Sequence, residues 1–149
     1  MKITWPKIAI LVLWGVILTI ALYSVLLIGE GDRLHYDNIP FPTNADVYII
    51  GGDPVTFQVE RCLRGHRPVE YQFLVDLVST DTHNVTYSLP SGDSFAEPGC
   101  TMVSAQPKEI PAYVQPGKYK LAFEVVYRDR FRNHILKGME TTEFQLIHG

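Results

Sequence analysis

The sequence has only two cysteines, Cys62 and Cys100, and it lacks the short motifs that mark common catalytic and metal sites. It contains no Cys-x-x-Cys or His-x-x-x-His pair, no Gly-x-Ser-x-Gly motif and no glycine loop that leads into a helix. These absences argue against a zinc site, a serine hydrolase and a phosphate-binding loop. We therefore expect no metal and no cofactor. With 149 residues, no internal repeat and no heptad pattern, a large multidomain enzyme, a solenoid and a coiled coil are also excluded.

Charge is absent from residues 8–28, where only Gly15, Thr19 and Ser24 interrupt an apolar stretch. As an α-helix this stretch would be about 31 Å long, which matches the hydrocarbon thickness of a bilayer. It is longer than the apolar part of a cleavable signal peptide, and no small-x-small cleavage site follows it. The sequence therefore predicts a retained transmembrane helix over residues 8–28, so that the lipid bilayer is the first expected partner.

The charges that flank this stretch predict its orientation. Lys2 and Lys7 precede it, whereas Glu30, Asp32 and Arg33 follow it. Because positive charge is retained on the cytoplasmic side, residues 1–7 are expected to form a short cytoplasmic tail. The rest of this single-pass protein is then expected to lie outside, in a periplasmic or extracellular space.

Both cysteines fall in the part that we expect to be exported. Thiols oxidise in such compartments, so a disulfide between Cys62 and Cys100 is predicted. The alternative is that Cys62 is a nucleophile with His66 four residues away, which would make the chain a membrane-tethered enzyme that acts on the cell envelope.

The exported part divides by composition into a linker and a strand-rich domain. Residues 29–45 mix glycine, proline, asparagine and aspartate without a periodic apolar pattern, which predicts an extended tether. Residues 46–149 instead show stretches of alternating polarity that are separated by turn residues. The predicted strands are Asp46–Ile50, Val55–Cys62, Glu70–Ser79, Asn84–Leu89, Thr101–Ala105, Lys118–Arg128 and Glu140–Ile147.

Alternation is clearest in Lys118–Arg128, where Tyr119, Leu121, Phe123, Val125 and Tyr127 are expected to share a buried face. One buried face and one wetter face per strand are typical of antiparallel sheets packed against each other. About seven such strands predict an all-β fold, an immunoglobulin-like antiparallel sandwich preceded by one transmembrane helix.

The segment VQPGKYKLAFEV, residues 114–125, resembles the corner that leads into the sixth strand of immunoglobulin-like and fibronectin type III-like domains. The resemblance implies a turn at Pro116 and Gly117 and a structural role for Tyr119, whose hydroxyl would close the corner. The exported part has no tryptophan, and Cys62 and Cys100 are too close in sequence for the inter-sheet bridge of antibody domains. An anchor followed by EPGC and PGxY motifs is also similar to small membrane-anchored proteins of tailed phages and bacteria.

Six of the seven arginines fall in two short segments, RCLRGHR and RDRFRNH. In the predicted topology both segments lie at one end of the sandwich, where they would form a cationic pole and bind an anionic partner such as lipid headgroups. Alternatively, the arginines are solvated or paired with Asp129, Asp76 or Glu70. Nucleic acid is not expected as a partner, since the segments lack interleaved stacking aromatics. The candidate anion-binding residues are Arg61, Arg64, His66, Arg67, Arg128, Arg130, Arg132 and His134.

Three functions follow from these features. The first is a non-catalytic, membrane-anchored module that contacts another protein or an envelope component, as a subunit of a membrane or virion assembly. The second is the envelope-acting enzyme that uses Cys62 or a histidine, and the third is a phage factor for membrane remodelling or lysis. Asn84-Val85-Thr86 is a glycosylation sequon, which matters only in a eukaryotic secretory pathway.

Overall fold

The computed structural model describes residues 5–28, 33–81, 85–128 and 132–149. The chain divides into two compact units, Met1–Asp32 and Arg33–Gly149. The described residues form one helix, α1 (Trp5–Ile28), and the strands β1 (Leu34–Tyr36), β2 (Val47–Ile49), β3 (Gln58–Leu63), β4 (Val69–Ser79), β5 (Thr86–Ala96), β6 (Gly99–Ser104), β7 (Gly117–Arg128), β8 (Asn133–Glu140) and β9 (Phe144–Ile147).

The first unit contains helix α1, which is long and apolar enough to span a membrane. It begins at Trp5, three residues before the predicted start, because Pro6 is tolerated in a first turn where its missing N–H would have no partner. The hydroxyls of Thr19 and Ser24 donate to backbone carbonyls four residues earlier, each at 2.8 Å. These polar side chains are thus satisfied within the helix, as a hydrocarbon environment requires.

The second unit consists of two β-sheets. The smaller has the strand order β1-β3-β6, and the larger has the order β2-β9-β7-β4-β5, with β8 beside the other half of β7. Among the described strands, β2 and β9 pair in parallel and the remaining pairs are antiparallel. The prediction of an all-β fold after one apolar N-terminal helix is confirmed.

The core of this unit lies between the sheets. The alternation predicted for β7 is confirmed: four of its five predicted inward side chains are buried, and Phe123 is half-buried. Leu34, Leu77, Leu121 and Leu146 are completely buried. The hydrophobic core therefore belongs to residues of the second unit.

The predicted tether over residues 29–45 is wrong for residues 33–45, which belong to the β domain. Strand β1 pairs with β3, with Leu34 opposite Leu63. Phe41 is 2% exposed, and its backbone N–H and carbonyl bond to Glu140 and Thr142. The buried side chains of Leu34 and Phe41 thus attach this segment to the domain, although its proline and glycine content predicted a linker. Residues 29–32 lie outside the described residues.

Two strands differ from the predicted pattern because each contains a β-bulge. Strand β8 was expected to be a loop, but its inward residues, His134, Leu136 and Met139, are spaced by two and then by three. The extra residue breaks the alternation that marks a strand. Glu140 therefore ends β8, and β9 is a separate strand from Phe144. Strand β5 continues through PSGD, residues 90–93, to Ala96, seven residues beyond the predicted end of this strand at Leu89. Asn84 lies outside the described residues.

Candidate functional site

A cleft of about 550 Å³ opens between the two sheets, and we call it the inter-sheet cleft. Its size falls within the range of small-molecule sites, about 300–1,000 Å³. Strands β3 and β6 form one wall, and β4, β5 and β7 form the other. The cleft is mostly apolar, with an aromatic cluster that consists of Tyr36, Phe41, Phe57, Tyr71, Phe73 and Phe123.

Arg61 lies on β3, and it points into this cleft rather than into the loop that the sequence predicted. Its guanidinium donates a hydrogen bond of 3.0 Å to the Tyr71 hydroxyl and lies 5.8 Å from the centre of the Tyr71 ring. Burial raises the pKa of the Tyr36 hydroxyl, and hydrogen bonding to Tyr71 raises it further, whereas Arg61 acts in the opposite direction. The Tyr36 phenol is thus a neutral group close to the positive charge of Arg61.

Lys108 supplies a second cation to the cleft, and it was missed in the sequence. The residue is only 7% exposed, and its ammonium group lies 4.4 Å from the centre of the Phe73 ring. Within the part of the chain that the structure describes, no carboxylate lies within ion-pair distance of this ammonium group. Burial consequently lowers the pKa of Lys108 below its ordinary value.

Arg61 and Lys108 contact the rings of two neighbouring residues on the same face of β4. Tyr71 and Phe73 alternate on β4, with ring centres 6.5 Å apart. Phe73 packs against Gly92 of β5 so closely that a Cβ at position 92 would lie 2.6 Å from the ring. Gly92 is therefore needed to seat the ring that carries the Lys108 contact.

The predicted disulfide between Cys62 and Cys100 is present. The two residues are directly opposed on β3 and β6, so the bond joins neighbouring strands of the smaller sheet. Cys100 precedes the predicted strand Thr101–Ala105, whereas in the structure it is the second residue of β6. Cys100 also lines a shallow depression with Arg61 and Phe95, beside the inter-sheet cleft.

The two arginine-rich segments lie at the same end of the larger sheet, since Tyr71 near the start of β4 pairs with Tyr127 near the end of β7. Arg64, His66 and Arg67 are exposed in the β3–β4 loop. Arg128 and Arg132 are exposed beside the β7–β8 connection, whereas Arg130 lies outside the described residues. We call the exposed members, Arg64, His66, Arg67, Arg128 and Arg132, the arginine loops.

Arg33 organises this end, although its position in the predicted tether concealed it. Its guanidinium donates to the carbonyls of Arg64 and Arg67 at 2.9 and 2.8 Å. Its backbone N–H donates to the Tyr127 hydroxyl at 3.1 Å. Arg33, at the start of the domain, thereby holds the β3–β4 loop in place.

His134 does not belong to the exposed surface at this end. It is 5% exposed, and its ring stacks on Tyr127 with ring centres 4.7 Å apart. Its inward position follows from the bulged alternation of β8. We therefore remove it, together with Arg61, from the candidate residues for a solvent-facing cationic pole.

Tyr119 is the third residue of β7, and it is 3% exposed. Its hydroxyl donates a 2.8 Å hydrogen bond to the carbonyl of Gln115, immediately before Pro116 and Gly117. Burial raises the pKa of the Tyr119 hydroxyl, which keeps it protonated as a donor.

One cluster of potential metal ligands, His35, Asp37 and Cys62, occurs among the described residues, with ligand atoms within 4.8 Å of one another. Cys62 is bonded to Cys100, so it offers no thiolate to a metal in this state. The remaining pair, His35 and Asp37, is a 3.8 Å contact near the surface. This donor set does not fit a stable metal centre.

The chain matches no family model and no curated protein. Similar solved structures include the alkylpurine DNA glycosylase AlkC of Pseudomonas fluorescens, solved with DNA containing an abasic site analogue. It has 12% identity and a TM-score of 0.44 over 83% of this chain and 33% of that one. A family 123 glycoside hydrolase of Clostridium perfringens has 13% identity and a TM-score of 0.41 over 70% of this chain and 23% of that one. The chain thus spans a third or less of these proteins, and similarity at this level assigns neither a family nor a function.

Proposed function

We propose that this protein is a non-catalytic, single-pass membrane protein whose C-terminal domain lies outside the cytoplasm and binds a partner or an envelope component. The observation that carries the proposal is helix α1. Its apolar side chains, from Ile8 to Val25, are largely exposed, and none of the candidate span Trp5–Val25 is buried. An exposed apolar surface of this length is stable in lipid and unfavourable in water.

The orientation with residues 1–7 in the cytoplasm rests on Lys2 and Lys7 before the span and on the acidic residues after it. The disulfide supports the same orientation, because disulfides form and persist outside the cytoplasm.

The domain is proposed to be an immunoglobulin-like sandwich. In that fold one sheet contains the first, second and fifth strands, and the other contains the third, sixth and seventh. The order β1-β3-β6, and the part β9-β7-β4 of the order β2-β9-β7-β4-β5, fit this scheme when β8 and β9 are taken as one interrupted last strand and β2 and β5 as additional strands. The Tyr119 hydroxyl bond before β7 corresponds to the tyrosine corner of such domains.

Binding is favoured over catalysis by the state of Cys62 and by the character of the cleft. The Cys62 sulfur is bonded to Cys100, so Cys62 is blocked as the nucleophile of an envelope-acting enzyme. The inter-sheet cleft instead presents aromatic rings and two cationic groups, which are typical of recognition.

Cysteine labelling in intact cells tests the orientation. A Ser91→Cys variant, at an exposed position of β5, should react with a membrane-impermeant maleimide before lysis. A Lys2→Cys variant is the matched control, and it should react only after the membrane is opened. Labelling of Lys2→Cys alone in intact cells would contradict the proposal.

A second candidate function is contact with an anionic surface through the arginine loops. It is supported by the exposure of Arg64, Arg67 and Arg128 at one end of the larger sheet. Arginines close to an anionic membrane each contribute about 1 kcal/mol, and salt weakens the contact.

Vesicle sedimentation tests this second candidate. The domain comprising residues 33–149 should bind phosphatidylglycerol vesicles at low salt and should not bind phosphatidylcholine vesicles. Replacing Arg64, Arg67 and Arg128 by serine should abolish that binding. Equal binding by the substituted domain would exclude the arginine loops as the contact.

A further inference from the structure

The inter-sheet cleft combines a mostly apolar interior with two cationic side chains, Arg61 and Lys108. One carboxylate, Asp93, also lines it, but among the described residues Asp93 forms no ion pair with either cation. Lys108 is more than nine-tenths buried and lines the cleft, and its nearest described partner is the face of Phe73 rather than a carboxylate. Burying an ammonium group without an anion is unfavourable, and an aromatic face compensates only partly. An anion that enters the cleft would therefore gain a strong, poorly hydrated partner.

Arg61 is the second cation that lines the cleft. Its guanidinium uses one donor on the Tyr71 hydroxyl, and its planar fork has further donors for a carboxylate. Arg61 and Lys108 contact the neighbouring rings of Tyr71 and Phe73, and both cationic side chains line the cleft. The neutral hydroxyl of Tyr36 is next to this pair.

Away from the two cations, the walls are mostly apolar, with Asp93, Ser94, Ser104 and Gln106 as the polar members of the lining. Phe41, Phe57 and Phe123 form a continuous group of rings with centres 5.1 to 6.1 Å apart, and Val59, Val125 and Met139 complete the lining. An occupant must therefore have an apolar body as well as an anionic end. A volume of about 550 Å³ suits one acyl chain or a comparable body, as in ordinary small-molecule sites.

We propose that the inter-sheet cleft binds a single-chain amphiphile with an anionic head, of the long-chain carboxylate class, with the head between Arg61 and Lys108 and the chain against the phenylalanines. This inference rests on the proposed function, because membrane anchoring would keep the protein where acyl amphiphiles are concentrated. Asp93 also lines the cleft and would oppose the anion if its carboxylate faced the head.

Photo-crosslinking of the full chain in phosphatidylcholine nanodiscs tests this proposal. The probes are a long-chain fatty acid with a mid-chain diazirine and the alcohol with the same chain and diazirine. Mass spectrometry counts labels per protein molecule on helix α1 and on β3, β4 and β7. The carboxylate probe should label the cleft strands about tenfold more than the alcohol does, as expected when a charged hydrogen bond is gained.

Three variants identify the groups responsible. Lys108→Met keeps an apolar stem, and Arg61→Gln keeps a hydrogen-bond donor; each should lower cleft labelling by the carboxylate about tenfold. Lys137→Met removes the same charge from an exposed position and should leave labelling unchanged. Near-ultraviolet circular dichroism confirms that each variant is folded.

Equal labelling of the cleft by both probes, or unchanged labelling in Lys108→Met and Arg61→Gln, would overturn the proposal. Labelling of helix α1 by both probes is the independent readout of membrane insertion. If helix α1 were not labelled, the proposed membrane insertion would be contradicted. The labelling of the cleft strands would still test the binding site on its own.

Discussion

The two halves of the space between the sheets are filled differently. In one half, Leu77 and Leu121 are opposed on β4 and β7 and are completely buried. In the other half of the same strand pair, Tyr71 and Phe73 are half-buried and line the inter-sheet cleft. Fully buried aliphatic and aromatic side chains thus close one half of the sandwich, whereas half-buried aromatic side chains and two cations line the open cleft in the other half. The difference separates residues that stabilise the fold from residues available for binding.

The largest expected effect concerns the disulfide beside the open half. Replacing Cys62 and Cys100 by alanine should lower the free energy of unfolding by about 4 kcal/mol, because the bond closes a 38-residue separation. Chemical denaturation of the domain measures the loss. A loss below about 1 kcal/mol would show that packing alone holds β6 against β3.

The next largest effect compares one residue from each half. Leu121→Ala should cost about 3 kcal/mol, because it creates a cavity in the closed half. Phe73→Leu should cost about 1 kcal/mol or less, since its ring already borders open space. Equal losses in denaturant unfolding would mean that the two halves are packed alike.

The smallest effect is a gain in stability at Lys108. Its folded-state pKa is lowered by burial, so the folded chain disfavours the protonated form relative to the unfolded chain. This penalty is complete below the folded pKa and disappears as the pH rises toward the ordinary value of 10.5. Lys108→Met should therefore be more stable by about 1 kcal/mol at pH 7, with a gain that shrinks as the pH rises from the lowered folded-state pKa toward 10.5. A pH-independent difference, or a loss, would contradict the assigned environment of Lys108.

The sequence predicted those elements whose hydrophobic pattern is regular along the whole element. The apolar stretch gave helix α1, and strict alternation identified β7 and its buried face. Composition and compartment together predicted the disulfide. These features depend on local chemistry or on a regular alternation of residue types, so they can be predicted from a single sequence.

The parts that could not be predicted depend on contacts between distant segments or on irregular geometry. Strand β8 and the second half of β5 are bulged, so their alternation is interrupted. The role of Arg33 requires the loop carbonyls that it binds, and the burial of Lys108 requires Phe73 from another strand. The cleft lies between two sheets that are built from distant segments of the chain, and the hydrophobic pattern of a single strand does not predict it.

Hydroxyl-radical footprinting of the full chain, read by mass spectrometry, tests the difference between the two halves most directly. Matched residue types give the comparison: Tyr71 with Tyr119, and Phe73 with Phe144. The open cleft predicts that Tyr71 and Phe73 are oxidised several-fold faster than Tyr119 and Phe144, which are 3% and 2% exposed. Equally slow oxidation of all four side chains would show that the cleft is closed and would contradict the account.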